Sequence, residues 1–225
     1  MDNKKIDLTL SVIRPERRKF SVSAKIEKQI LKKNSIPINT GNKMIKVPIC
    51  QSCGLPVGEG THMIEPSEKP TESLLLCKPC YYPRNLDELT MPSNGYIILE
   101  PRIDQTEINT LICALWYSQK IYDDDELLGV IEQLTKSLSQ KKTHADLYIA
   151  KDISNIEYLT QVLYQMDSDD YERRYNLLKH LRWMPSIESI LPTMEYWRRN
   201  CFGLYSPKNW YSLINSIGKE REKKF

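Results

Sequence analysis

Two Cys-x-x-Cys pairs, Cys50-Gln-Ser-Cys53 and Cys77-Lys-Pro-Cys80, stand twenty-three residues apart. Each pair bends the backbone into a knuckle that aims two sulfurs at one point. Two such knuckles complete the tetrahedral four-sulfur cage that Zn²⁺ prefers in structural sites. Any fold of this chain must therefore bring residue 50 and residue 80 to the same place. Two disulfides, or four buried thiols, would satisfy the same spacing. The paired knuckles favour one structural Zn²⁺ held by Cys50, Cys53, Cys77 and Cys80, because the pairing is far more specific than a single Cys-x-x-Cys. The remaining cysteines, Cys113 and Cys201, lie in apolar helical patterns and read as small buried hydrophobes.

The totals narrow the class. A chain of 225 residues, 40% hydrophobic and 27% charged, has the balance of an ordinary soluble globular protein. No stretch approaches the roughly 18–20 consecutive apolar residues of a membrane span. The start, Met1-Asp-Asn-Lys-Lys-Ile, lacks the apolar core of a signal peptide, which predicts a cytosolic protein, at a membrane only through a partner. The net charge of +3 hides an asymmetry: residues 1–50 carry twelve Lys and Arg against four Asp and Glu. A basic arm beside a zinc module raises nucleic-acid binding as one reading. A solvated face, or a surface for an acidic protein segment, is the other.

The patterning predicts an α+β chain. An N-terminal β-hairpin and a zinc module fill residues 1–100, and an α-helical bundle fills residues 101–225. Residues 6–13 alternate apolar and polar, Arg14-Pro-Glu-Arg-Arg18 turns, and Phe20, Val22 and Ala24 resume, so 6–24 reads as the hairpin. A short helix over 25–33, a turn at 39–42, and strands at 44–47, 74–76 and 96–99 follow. After Pro101 the pattern is helical throughout. Asp104-x-x-Glu107 is a capping box opening a helix whose stripe is Ile108, Leu111, Ile112, Leu115 and Trp116. A second helix begins after Asp123-Asp124, and residues 139–152 read as a polar loop. Ser154-x-x-Glu157 is a second capping box, Ser168-Asp-Asp opens another helix, and Met184-Pro185-Ser186 breaks the next. Ser206-Pro207 starts a last short helix closed by Gly218. This division places the dependence on metal in residues 1–100 alone.

The central stretch resembles an HNH, or treble-clef, zinc module: Cys-x-x-Cys-Gly, then His62-Met-Ile-Glu-Pro66, then Leu-Leu-Cys-x-x-Cys. In that family the zinc staples a β-hairpin to a helix, and a second, catalytic metal lies beside a histidine that activates water. The resemblance puts His62 at the general-base position, and Pro66 keeps the usual His-x-x-x-Pro spacing. Thr61, however, stands where a metal-binding Asp or His belongs, Glu72 stands near the orienting Asn, and Tyr81 replaces the histidine after the last cysteine. With neither ligand present, nothing holds Mg²⁺ against a scissile phosphate. The resemblance thus implies a scaffold without nuclease activity, with an active HNH endonuclease as the contrasting reading.

A second resemblance spans most of the chain. Tyr96-Ile-Ile-Leu99-Glu-Pro101 before Leu111-Ile-Cys-Ala-Leu115, and Arg182-Trp-Met-Pro185-Ser186 before Met194-Glu-Tyr-Trp197, are similar to the IcmJ (DotN) family. The N-terminal hairpin and the first knuckle fit as well, whereas residues 121–152 match little. Membership would imply a cytoplasmic subunit of the coupling complex of a type IVB (Dot/Icm) secretion system. Such a subunit uses a zinc-bearing HNH fold to bind the C-terminal tail of the coupling ATPase, beside other coupling subunits, and supports effector recruitment.

Overall fold

The period-two alternation of Leu8, Leu10 and Val12 does point these side chains into the core. Their backbone, however, pairs with no second strand. In the computed structural model, which describes residues 6, 8–13, 20–39, 44–58, 60–89, 92–121 and 125–200, this segment lies extended against distant parts of the chain. Ser11 N–H donates to Pro83 O and Leu86 N–H donates to Ser11 O, both at 2.9 Å. Val12 is held by Tyr171, whose hydroxyl accepts from the Val12 amide (3.3 Å) and donates to its carbonyl (2.9 Å). The expected 6–24 hairpin is therefore absent among the described residues; its turn at 14–18 lies outside them. Residues 20–23 lead directly into helix α1, Ala24–Lys33, which buries Ile30.

Strands β1 (Ser35–Asn39) and β2 (Met44–Pro48) form an antiparallel pair in which Pro37 stands opposite Lys46. β2 was legible from Met44-Ile-Lys-Val47; β1, with a proline at its centre, was not. Strands β3 (His62–Glu65) and β4 (Leu74–Cys77) make a second antiparallel pair. β4 runs into α2, Lys78–Tyr81, a single helical turn with Pro79 near its start. One-turn 3-10 helices at Tyr82–Arg84 and Leu86–Glu88 lead on toward β5, Gly95–Leu99.

The partner of β5 is the main correction to the sequence reading. β5 pairs antiparallel with β6, Leu181–Pro185, from Gly95↔Pro185 to Leu99↔Leu181. The region after Pro101 is thus not helical throughout. The pairing joins residues on either side of position 100, and one hydrophobic cluster runs from Leu8 to Trp197. At the turn into β5, Gly95 has φ +117°, and a Cβ there would stand 2.2 Å from the Met184 carbonyl oxygen. Only glycine permits that approach.

Between these strands lie α3 (Gln105–Ile121), α4 (Asp125–Tyr148), α5 (Ile156–Gln165) and α6 (Ser168–Leu178); α7 (Ile187–Asn200) follows β6 and continues through Pro192. The first capping box is formed as read. Glu107 N–H donates to Asp104 Oδ1 (2.9 Å), and Asp104 N–H donates to Glu107 Oε2 (2.8 Å). Asp104→Ala is expected to lower stability by about 1 kcal/mol, measured as a shift in the urea midpoint with an unchanged slope.

The second box is not formed as read. Asn155 caps α5, accepting from Glu157 N and Tyr158 N, while Ser154 donates through N and Oγ to Asp146. That Asp146 is available for this because α4 runs through the stretch read as a loop. Ile131, Leu138 and Ala145 are buried along it at seven-residue spacing. Lys141 reaches Glu100, which is 1% exposed at the end of β5, with Nζ 2.5 Å from the carboxylate. Burial alone would push the Glu100 carboxyl up; the bond from Lys141 and the Arg102 backbone amide outweigh it and hold the group below its usual range. Asp123-Asp124, the turn at 40–42, Cys201 and the expected helix after Ser206 lie outside the described residues.

Candidate metal centre

The first knuckle is shaped by its own backbone. Cys50 O accepts from Gly54 N–H at 2.9 Å, and Cys50 N–H donates to Leu55 O at 2.8 Å, which closes a tight turn over 50–55. Gly54 closes it with φ +73°, a conformation that glycine adopts freely. Gln51 then fastens the turn to β4. Its N–H donates to Leu75 O (2.9 Å), and its side-chain Oε1 accepts from Leu75 N–H (2.7 Å). Because β4 ends at Cys77 and α2 carries Cys80, this two-point clasp on Leu75 sets the distance between the knuckles.

The result is one cluster. The sulfurs of Cys50, Cys53, Cys77 and Cys80 all lie within 4.8 Å of one another, and Cys53 and Cys77 are 3.7 Å apart. A disulfide needs about 2.05 Å. A tetrahedral cage with Zn–S bonds of about 2.3 Å has sulfur–sulfur edges of about 3.8 Å. The separations therefore fit four ligands around one ion. Cys50, Cys77 and Cys80 are buried and Cys53 is half-buried.

The four thiols act on one another. Hydrogen bonds from Cys53, Cys77 and Cys80 hold the Cys50 thiol well below its ordinary value. Burial pushes the Cys77 thiol well above it, and hydrogen bonds with Cys50 and Cys53 raise Cys80. Four thiolates coexist in such a space only beside a cation, which deprotonates coordinating thiols outright. Cys113 is buried close by and takes no part in the cluster; burial raises its thiol as well.

The residues at the HNH catalytic positions are occupied elsewhere. His62 opens β3, with Nδ1 3.0 Å from Gly58 O and Nε2 2.8 Å from Glu27 Oε1 of α1. Both ring nitrogens face acceptors within the chain. Thr61 is 4% exposed, and its hydroxyl accepts from Gly58 N–H and donates to Gly58 O. Tyr81 is buried and donates to Glu88 Oε1 at 2.5 Å; burial and that carboxylate push its phenol far up. Just before Pro66, Glu65 makes a two-point ion pair with Arg84, at 2.6 and 2.7 Å. Glu72 is exposed and pairs with Lys69.

The sequence reading missed three polar side chains around the cluster. Gln51 is one; Asn109 and Gln105, both on α3, are the others. Asn109 Nδ2 donates to Pro79 O at 2.8 Å and lies 3.7 Å from Cys80 Sγ. Gln105 and Asn109 are 3% exposed. Their signal was present: two amides four residues apart on the buried face of an apolar helix. That face centres on Ile108, Ile112, Cys113, Trp116 and Tyr117, with Leu111 and Leu115 half-buried at its flank. α7 reaches the first knuckle as well, where Trp197 Nε1 donates to Pro56 O at 2.7 Å.

No family model matches the chain, and no curated protein matches it. Among the described residues, no helix is long and apolar enough to cross a membrane. The site therefore defines a class on its own terms: an α+β protein with a four-cysteine cluster able to hold a metal ion.

Proposed function

We propose that the cluster holds one structural Zn²⁺ in a treble-clef arrangement, and that the chain acts as a non-catalytic adaptor. The particular role is the one its resemblance to the IcmJ (DotN) family implies. It is a cytoplasmic subunit of a type IVB secretion coupling complex that binds the C-terminal tail of the coupling ATPase and supports effector recruitment.

One observation carries the non-catalytic reading: every group that an HNH nuclease would direct at substrate is bonded inward here. His62 is held by Glu27 and Gly58, Thr61 by Gly58, and Tyr81 by Glu88. Four thiolates fill the coordination shell of Zn²⁺ and leave no position for water, which is the pattern of structural rather than catalytic sites. The order of elements also suits the treble clef: a knuckle, the β3–β4 hairpin, then the second knuckle at the start of a helix. Zinc in such a cage supplies folding energy and no reacting group.

The test is retention of the purified, zinc-loaded chain on an immobilised C-terminal tail of the coupling ATPase. Retention at micromolar concentration is expected, unchanged by His62→Ala; failure to bind would overturn the adaptor role. Plasmid cleavage with Mg²⁺ that vanishes in His62→Ala would reinstate the nuclease reading. The nucleic-acid reading has its own observation, since Lys25, Lys28 and Lys32 are exposed along α1. Duplex binding that falls steeply with salt would favour it over the adaptor.

A further inference from the structure

The amides of α3 form a chain whose direction is fixed from its far end. Trp183 N–H donates to Gln105 Oε1 at 2.8 Å, so the Gln105 oxygen must face β6. Its Nε2 then donates to Trp183 O at 2.8 Å and, with its second hydrogen, toward Asn109 Oδ1 at 3.0 Å. Asn109 must therefore present its oxygen to Gln105 and its NH₂ to the knuckle. One hydrogen goes to Pro79 O at 2.8 Å, and the other faces Cys80 Sγ at 3.7 Å. A flipped Asn109 would set its oxygen against a carbonyl and a thiolate, and would leave Gln105 donating to a donor. The backbone of one strand thus decides which atom meets the sulfur 29 residues earlier in the chain than Asn109.

We infer that Asn109 is an outer-sphere residue of the metal centre, donating to the Cys80 thiolate, and that Gln105 positions it. The inference rests on the reading of the cluster as a metal site. A donor aimed at a metal-bound thiolate withdraws charge from the sulfur and offsets the crowding of four anions around one dication. Groups in this position tune affinity by about 10–100-fold. Cys80 is the ligand so treated, because α3 packs on α2, the turn that carries it. The arrangement also gives β6 a link to the metal through its own backbone amide.

The test uses the full chain loaded with Co²⁺ in place of zinc, whose sulfur-to-metal charge-transfer band reports on the thiolates. Asn109→Asp keeps the shape and the acceptor facing Gln105, and sets a carboxylate oxygen against the sulfur in place of the donor. It is expected to move the band to lower energy and to release metal to a competing chelator about 10–100-fold more readily. Gln105→Leu should reproduce the shift in smaller measure by freeing the Asn109 amide. A folded Asn109→Asp protein with an unchanged band and unchanged affinity would overturn the assignment. A measurement on the unaltered sequence guards against a variant that fails to fold. With ¹¹³Cd bound, the Asn109 side-chain amide protons should couple to the metal through the hydrogen bond, and absence of that coupling in the folded cadmium protein would also overturn it. A chain that takes up no Co²⁺ fails one step earlier and overturns the metal reading itself.

Discussion

Replacing Cys77 by serine is expected to abolish metal binding and with it the cooperative fold, not merely to loosen one corner. Cys77 is fully buried where β4 meets α2, and its sulfur lies 3.7 Å from that of Cys53. Structural zinc contributes about 10–16 kcal/mol of apparent binding free energy in zinc-finger peptides. The whole stability of a domain is about 5–15 kcal/mol. The division at residue 100 would confine the damage to the first half. Against that, one hydrophobic cluster joins Leu8 to Trp197, Asn109 and Gln105 lead from the knuckle to β6, and Trp197 bonds to Pro56. The helices are therefore expected to melt with the four-cysteine module. Metal content by native mass spectrometry should fall from one ion to none, and the far-ultraviolet melt should lose its sigmoid. A variant with unchanged metal and melting would show that these four cysteines are not the ligand set.

The second large effect is expected at Trp183. The side chain is fully buried in β6, its ring meets Tyr82 edge-on at 5.7 Å, and Nε1 donates to Asn94 O at 3.2 Å. Trp183→Ala removes the largest group on the β6 strand and leaves a cavity between that strand and the turn after α2. A cost of about 3–5 kcal/mol is expected, read from urea unfolding. Trp183→Phe should recover most of it, because a ring remains against Tyr82 while the bond to Asn94 and part of the indole's volume are lost. Equal losses in the two variants would place the energy in that hydrogen bond rather than in packing.

What the sequence revealed and what it hid divide along physical lines. The cysteine spacing, the Asp104–Glu107 box, the α1 pattern and the strands at 44–47, 74–76 and 96–99 are local signals, and the structure contains each. β6 is not local. Leu181-Arg-Trp-Met-Pro185 has spacing that a helix would also accept, and it becomes a strand by pairing with residues some 85 positions earlier. The C-terminal half of α4 was hidden for another reason. Lys141 and Asp146 look like loop residues until Glu100 and Ser154 are known to be their partners. At the N-terminus the alternation was read correctly as burial and wrongly as pairing, since the groups that satisfy Ser11 and Val12 belong to Pro83, Leu86 and Tyr171. The outer residues of the metal centre were legible only as an oddity, two amides on an apolar face.

The β1–β2 pair carries a last consequence. In a sheet of two strands each strand is an edge, and here Ile36 and Ile45 are exposed on it. Such a ribbon invites a third strand from another molecule. Pro37 answers that risk. A ladder tolerates proline only where its nitrogen faces away from the partner strand, so the outer side of β1 lacks a donor at its centre. An incoming strand would meet a gap in the hydrogen-bond row, and the lysine opposite, Lys46, adds an exposed charge to the same ribbon. Along its β1 edge the pair can therefore show apolar side chains to solvent with the hydrogen-bond row interrupted, and a partner that uses that edge would read side chains rather than extend the sheet.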